Sequence, residues 1–197
     1  MWLDVVRFLT PGVILGIVIA ELIVRNPYYL RRILPRSWVP KLKEMGWTDW
    51  LRLIIVVGAC TFAAMYLVNA VEDVLREEVK VETRAENYPF QRPPPPEPLP
   101  PLTVIISTTL PIAEEWIFRG VLLEEIMRRT RSKLIALIIS SIIFGAFHLS
   151  NPGAYPALAL PMTVSGIVLG VCYLLSGLGG AILSHTLYNV LVTFNLP

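Results

Sequence analysis

Charge is what this sequence lacks most. Only 16% of its 197 residues are Asp, Glu, Lys or Arg, where a soluble domain carries about a quarter. The charges are clustered, long apolar runs lie between them, and the mean hydropathy is +0.61. A soluble globular domain is excluded, and an integral membrane protein is implied. The formal net charge of +2 is too small for nucleic-acid binding. Cysteine is scarce too: Cys60 and Cys172 sit in separate apolar runs with no CxxC pair. That argues against a cysteine zinc site or thiol redox chemistry and for two small buried hydrophobes. Histidine occurs twice, and no HExxH is present, so the usual metalloprotease signature is missing.

What is present is helix-length apolar sequence. A membrane-crossing helix needs about 20 mostly apolar residues. Six stretches approach that length, at 8–24, 51–71, 102–123, 134–151, 156–175 and 178–195. The expected fold is therefore all-α, a polytopic membrane bundle of about six helices. Pro161 is expected to kink the fifth, and Gly12/Gly16 and Gly166/Gly170 have the GxxxG spacing of close helix packing. The first run is followed by Arg25 and a basic stretch instead of a small-residue cleavage site, so it reads as a retained anchor. The basic loops after the first and third stretches, against the more acidic 72–97 region, put both loops on the cytoplasmic side and both termini outside. Membrane lipids are the first expected partner, and the cell membrane the expected location.

Residues 26–50 interleave basic groups with Tyr28, Tyr29, Trp38, Trp47 and Trp50, a composition suited to the headgroup layer. QRPPPPEPLPP, Gln91 to Pro101, cannot be helical and suits a stiff polyproline spacer. Three parts follow: an N-terminal two-helix region at 1–87, a Pro-rich linker at 88–101 and a four-helix core at 102–197.

Ionisable groups inside membrane helices are costly and mark function by default. The core holds few: Glu114, Glu115 and Arg119 in AEEWIFRG, His148 in FGAFH, and His185 with Asn189 in HTLYN. Glu115 and Arg119 are i,i+4, as are Phe144 and His148, and His185 and Asn189, so each pair shares a helix face. At 1.5 Å per residue Glu114 lies about 18 Å from Leu102 and His148 about 21 Å from Leu134, on antiparallel helices. Turning all three helices inward is the cheapest arrangement. Glu114 has no local partner and must find one across the bundle. A second pair, Glu124–Glu125, lies near Arg128 and Arg129 at the helix end and reads as solvated ion pairs of little weight.

A desolvated glutamate can act as a general base at neutral pH. With His148 it could hold and deprotonate water, while His185 and Asn189 donate to an oxyanion. Alternatively Glu114, His148 and His185 could ligate zinc and leave one position for water. A third reading is a non-catalytic protein, its polar cluster serving helix register, a proton relay in transport, immunity or partner binding.

EEWIFR, FGAFH and HTLYN resemble the motifs EExxxR, FxxxH and HxxxN of the CAAX protease and bacteriocin-processing (Abi) family. All three stand in order on separate apolar segments, over about 102–195. The resemblance implies an intramembrane endopeptidase in which Glu114 activates water with help from His148. Glu115 and Arg119 would support the first motif, and His185 and Asn189 would bind the oxyanion or position the site. It implies a membrane-associated or prenylated protein substrate, and leaves open whether a metal takes part. The first hundred residues carry no motif.

Overall fold

The computed structural model describes residues 2–34, 39–77, 101–151 and 156–194. Among them no strand occurs, and every apolar stretch anticipated above is helical as far as it is described. Helix α1 (Trp2–Arg25) leads through two short helices, α2 (Tyr28–Arg31) and α3 (Val39–Glu44), to α4 (Trp47–Glu77). The Pro-rich segment lies outside the described residues except for Pro101, which opens α5 (Pro101–Glu115). A first-turn proline costs no helical hydrogen bond.

Helix α5 runs directly into a π-helical segment, Trp116–Leu123, and on into α6 (Glu124–Thr130). Two residues then reverse the chain. Arg131 closes α6 in the left-handed region (φ 55°), and the Ser132 hydroxyl accepts the Ile135 amide to cap α7, Lys133–Phe147. A short 3-10 turn, His148–Ser150, follows, and the last described helix is α8 (Ala159–Thr193).

Helix α8 is two arms. Gly177 has φ 76° and ψ −172°, open to glycine but costly to a residue with a Cβ. The contacts on either side show that the chain folds back there. On the first arm Gly166 meets Arg119 and Tyr173 meets Glu124, so this arm runs alongside the α5–α6 run. On the second, His185 meets Glu115 and Asn189 meets Ser107, in the opposite direction. This fold-back separates the fifth and sixth expected stretches. Among the described residues, three helical runs are long and apolar enough to cross a membrane: Trp47–Leu75, Lys133–Ser150 and Pro156–Thr193, the last being the folded pair.

Packing follows side-chain size. A Cβ on Gly166 would lie 3.1 Å from Ser141, and one on Gly170 would overlap Leu137, so the first arm of α8 rides close on α7. Gly12 and Gly16 have nothing within 4 Å among the described residues, so their matching spacing brings no described helix close. Cys60 and Ala64 of α4 pack against Val168 and Cys172, and Phe118 and Leu122 against Phe144 and Leu169. Both cysteines are free and buried, as expected. Large apolar side chains such as Ile17, Ile54 and Leu134 face outward, as a chain solvated by lipid requires.

Two expectations change. Pro161 is buried in the first turn of α8, where no earlier turn of that helix exists to be kinked. Tyr29, expected in the headgroup layer, is 2% exposed and packs with Ile19 and Val121. Its carbonyl accepts the Trp116 indole N–H at 2.8 Å. The aromatic stretch is thus divided, since Tyr28 and Trp47 remain exposed.

Candidate active site

The site begins with a proline. Pro111 lies inside α5 and has no N–H, so the carbonyl four residues earlier, on Ser107, loses its helical donor. The Asn189 amide Nδ2 donates to that carbonyl at 3.4 Å, and Thr193 bonds the Ser107 hydroxyl at 3.1 Å. One turn beyond Pro111 stand Glu114 and Glu115. The helix then widens into the π segment, a local form often met at functional sites.

Glu115 is fully buried. Its Oε1 accepts from Arg119 Nη1 at 2.7 Å and from His185 Nδ1 at 2.8 Å. Arg119 is also buried and donates through Nη2 to the Gly166 carbonyl at 2.9 Å, while its guanidinium lies 4.5 Å from the Phe144 ring centre. A buried charge is tolerable only when so paired. Because a carboxylate can only accept here, Nδ1 of His185 carries the hydrogen and Nε2 is left for other work. That Nε2 faces Glu114 Oε2 at 3.6 Å. Glu114 keeps 14% of its side chain exposed against none for Glu115, so of the two it can meet a substrate.

His148 opens the 3-10 turn after α7. Its Nδ1 donates to the Phe144 carbonyl at 2.8 Å, which again leaves Nε2 available. Phe144 is the shared wall: its ring centre lies 4.4 Å from that of His148 and 6.1 Å from that of His185. The charges that act on His148 include those of Glu114, His185 and Arg119. The structure thus brings Glu114, Glu115, Arg119 and His185 into direct contact and places His148 beside them across Phe144. Asn189 sits one turn further along, turned toward Ser107. As to zinc, no three His, Cys, Asp or Glu side chains among the described residues gather at ligand spacing.

A second polar cluster was not legible from sequence. Glu125, expected to be solvated, is 5% exposed. It accepts from Tyr29 Oη at 2.8 Å, from Arg128 at 2.6 and 2.9 Å and from Arg129 at 2.5 Å. Hydrogen bonds from Arg128 hold its carboxyl down at about 2, with Arg129 and Tyr29 adding to this against the opposing effect of burial. Glu124 pairs with Arg32 at 2.9 Å and accepts from the Tyr173 hydroxyl. Tyr29 and Arg32 arrive from far along the chain. The faint signal was a tyrosine and an arginine spaced i,i+3 just after α1.

Residues 96–191 match the family model described as type II CAAX prenyl endopeptidase, Rce1-like. The match covers 96 of the 197 residues and supports the CAAX protease family. It indicates a protease, a hydrolase of CAAX endopeptidase type, and together with the apolar helices it points to an integral membrane protein. No curated protein and no solved structure gave a match. The CAAX protease match takes in all six residues discussed, and it leaves out α1 through α4, of which α1 and α4 pack against the core helices.

Proposed function

We propose that this CAAX-type protease cleaves a peptide bond with a water molecule activated by Glu114, in the cell membrane, on the C-terminal segment of a prenylated protein. The observation that carries the reading is His185 standing between the two glutamates. Its Nδ1–H is committed to Glu115 and its Nε2 is turned to Glu114. Glu114 takes a proton from water, with the free nitrogen of His148 orienting that water, and the hydroxide attacks the scissile carbonyl. His185, once protonated at Nε2, can donate to the oxyanion so formed, while Asn189, bonded to the Ser107 carbonyl, positions α5 beside it. When the C–N bond breaks, the proton held between Glu114 and His185 passes to the departing amine. Glu115 and Arg119 stay paired throughout and set the ring of His185. The basic cytoplasmic face and outward termini belong to the same proposal.

The test is hydrolysis of a quenched prenylated peptide by the purified protein in lipid nanodiscs. Glu114→Gln is expected to lower turnover by about 10³-fold, and His148→Gln to lower it strongly as well. Glu21→Gln, an exposed partner of Arg25 on α1, should leave it unchanged. Turnover left close to the wild-type rate in Glu114→Gln overturns the reading. Metal analysis of the same preparation, with and without chelator, decides whether an ion contributes.

A further inference from the structure

The catalytic proposal uses only residues within the family match. Yet His185 is held from outside it. Thr61, at the middle of α4, is fully buried and meets the residue just before His185. Its Oγ1 lies 3.1 Å from Ser184 Oγ, 3.3 Å from the Ser184 carbonyl and 2.8 Å from the carbonyl of Val57 in its own helix. A threonine hydroxyl has one hydrogen and two acceptor positions. It donates to a carbonyl and accepts the Ser184 hydroxyl, so this serine, also fully buried, is tied to α4.

The neighbours make this contact directional. Cys60 and Ala64 flank Thr61 and pack on Val168 and Cys172, so small side chains bring α4 and the α8 hairpin close. Consecutive residues on a helix point about 100° apart. Ser184 therefore faces α4 while His185 faces Glu115. Pinning the first sets the rotation of the second about the helix axis. Without the pin, Thr61 would keep its bond to the Val57 carbonyl, but the buried Ser184 hydroxyl would lose its partner on α4.

We infer that Thr61 is a positioning residue: through Ser184 it fixes the angle at which His185 Nε2 faces Glu114. This rests on the catalytic reading above, and it assigns α4 a part in the reaction that no motif records. Thr61→Val keeps the shape of the side chain and removes the hydroxyl. It should lower kcat roughly tenfold or more with KM little changed, because an ångström of misplacement can cost about a hundredfold.

Three further measurements separate positioning from simple loss of stability. Thr61→Ser should restore most of kcat. The double variant Thr61→Val/Ser184→Ala should be no slower than the worse single variant, since both break one contact. The pH profile of kcat should shift in Thr61→Val and return in Thr61→Ser, with rates taken per folded molecule from gel filtration. Unchanged kcat in Thr61→Val, or an unshifted pH profile with multiplicative double-variant losses, overturns the inference. If Glu114→Gln also stays close to the wild-type rate, the catalytic reading has failed; if only Thr61→Val is unaffected, the positioning role alone has failed.

Discussion

Two glutamate pairs stand ten residues apart on one continuous helical run, and each has one buried and one partly exposed member. Their partners differ. Glu124 and Glu125 face Arg32, Arg128, Arg129 and two tyrosine hydroxyls. Those arginines keep their charge at any pH a protein survives. Glu115 has one such arginine, but it shares His185 with Glu114, and an imidazole nitrogen can take up or release a proton. A carboxylate surrounded by permanent cations is a fastener. One beside a group that can accept a proton can do chemistry. Doubling of glutamate says nothing by itself; the titratability of the partner does.

The contrast is open to direct attack. Its largest consequence is in rate: Glu114→Gln should lower kcat/KM by about 10³-fold, in the range of a lost general base. Glu125→Gln should leave activity per folded molecule unchanged. Equal losses in the nanodisc peptide assay would erase the distinction. Next comes Arg119→Leu, which strands Glu115 as a buried, half-compensated charge. It should cost about 3–5 kcal/mol in thermal unfolding in detergent, and Arg119→Leu/Glu115→Gln should recover part of that.

Glu125→Gln should cost about 2 kcal/mol at pH 7, as expected for charged hydrogen bonds. The folded carboxyl titrates at about 2 against an ordinary 4.5. A depressed value gives stability that is whole above about pH 4.5 and fades as the pH falls toward 2. The gap between wild-type and variant midpoints should therefore close over that window, and a gap that persists at pH 2 would show the network is not ionic. The smallest effect tests packing alone. Gly170→Ala presses on the end of the flexible Leu137 side chain and should cost about 1 kcal/mol, whereas Gly16→Ala should stay within about 0.5 kcal/mol.

Local partnerships were legible in the sequence because helical spacing dictates them. The i,i+4 relation of Glu115 to Arg119 appears as a 2.7 Å pair, and that of Phe144 to His148 as a ring contact. The lack of a local partner for Glu114 pointed across the bundle, where His185 stands. What escaped was long-range pairing. Tyr29 meets Glu125 across 96 positions and Thr61 meets Ser184 across 123, and no periodicity encodes either. Glu125 looked solvated because Arg128 and Arg129 were in view and Tyr29 was not. The Asn189–Ser107 bond is a middle case: Pro111 announces a freed carbonyl at Ser107, but not which side chain takes it.

The fold-back at Gly177 sets a tolerance on evolution. Gly166 on one arm and His185 on the other grip opposite ends of the Glu115–Arg119 pair. The stretch between them acts as a spacer of fixed count. One inserted or deleted residue there would advance the second arm by 1.5 Å and turn it by about 100°, taking His185 away from Glu115 while Gly166 stayed on Arg119. Point changes on the outward faces of this hairpin should drift freely among apolar residues, while changes in its length should be lethal to activity.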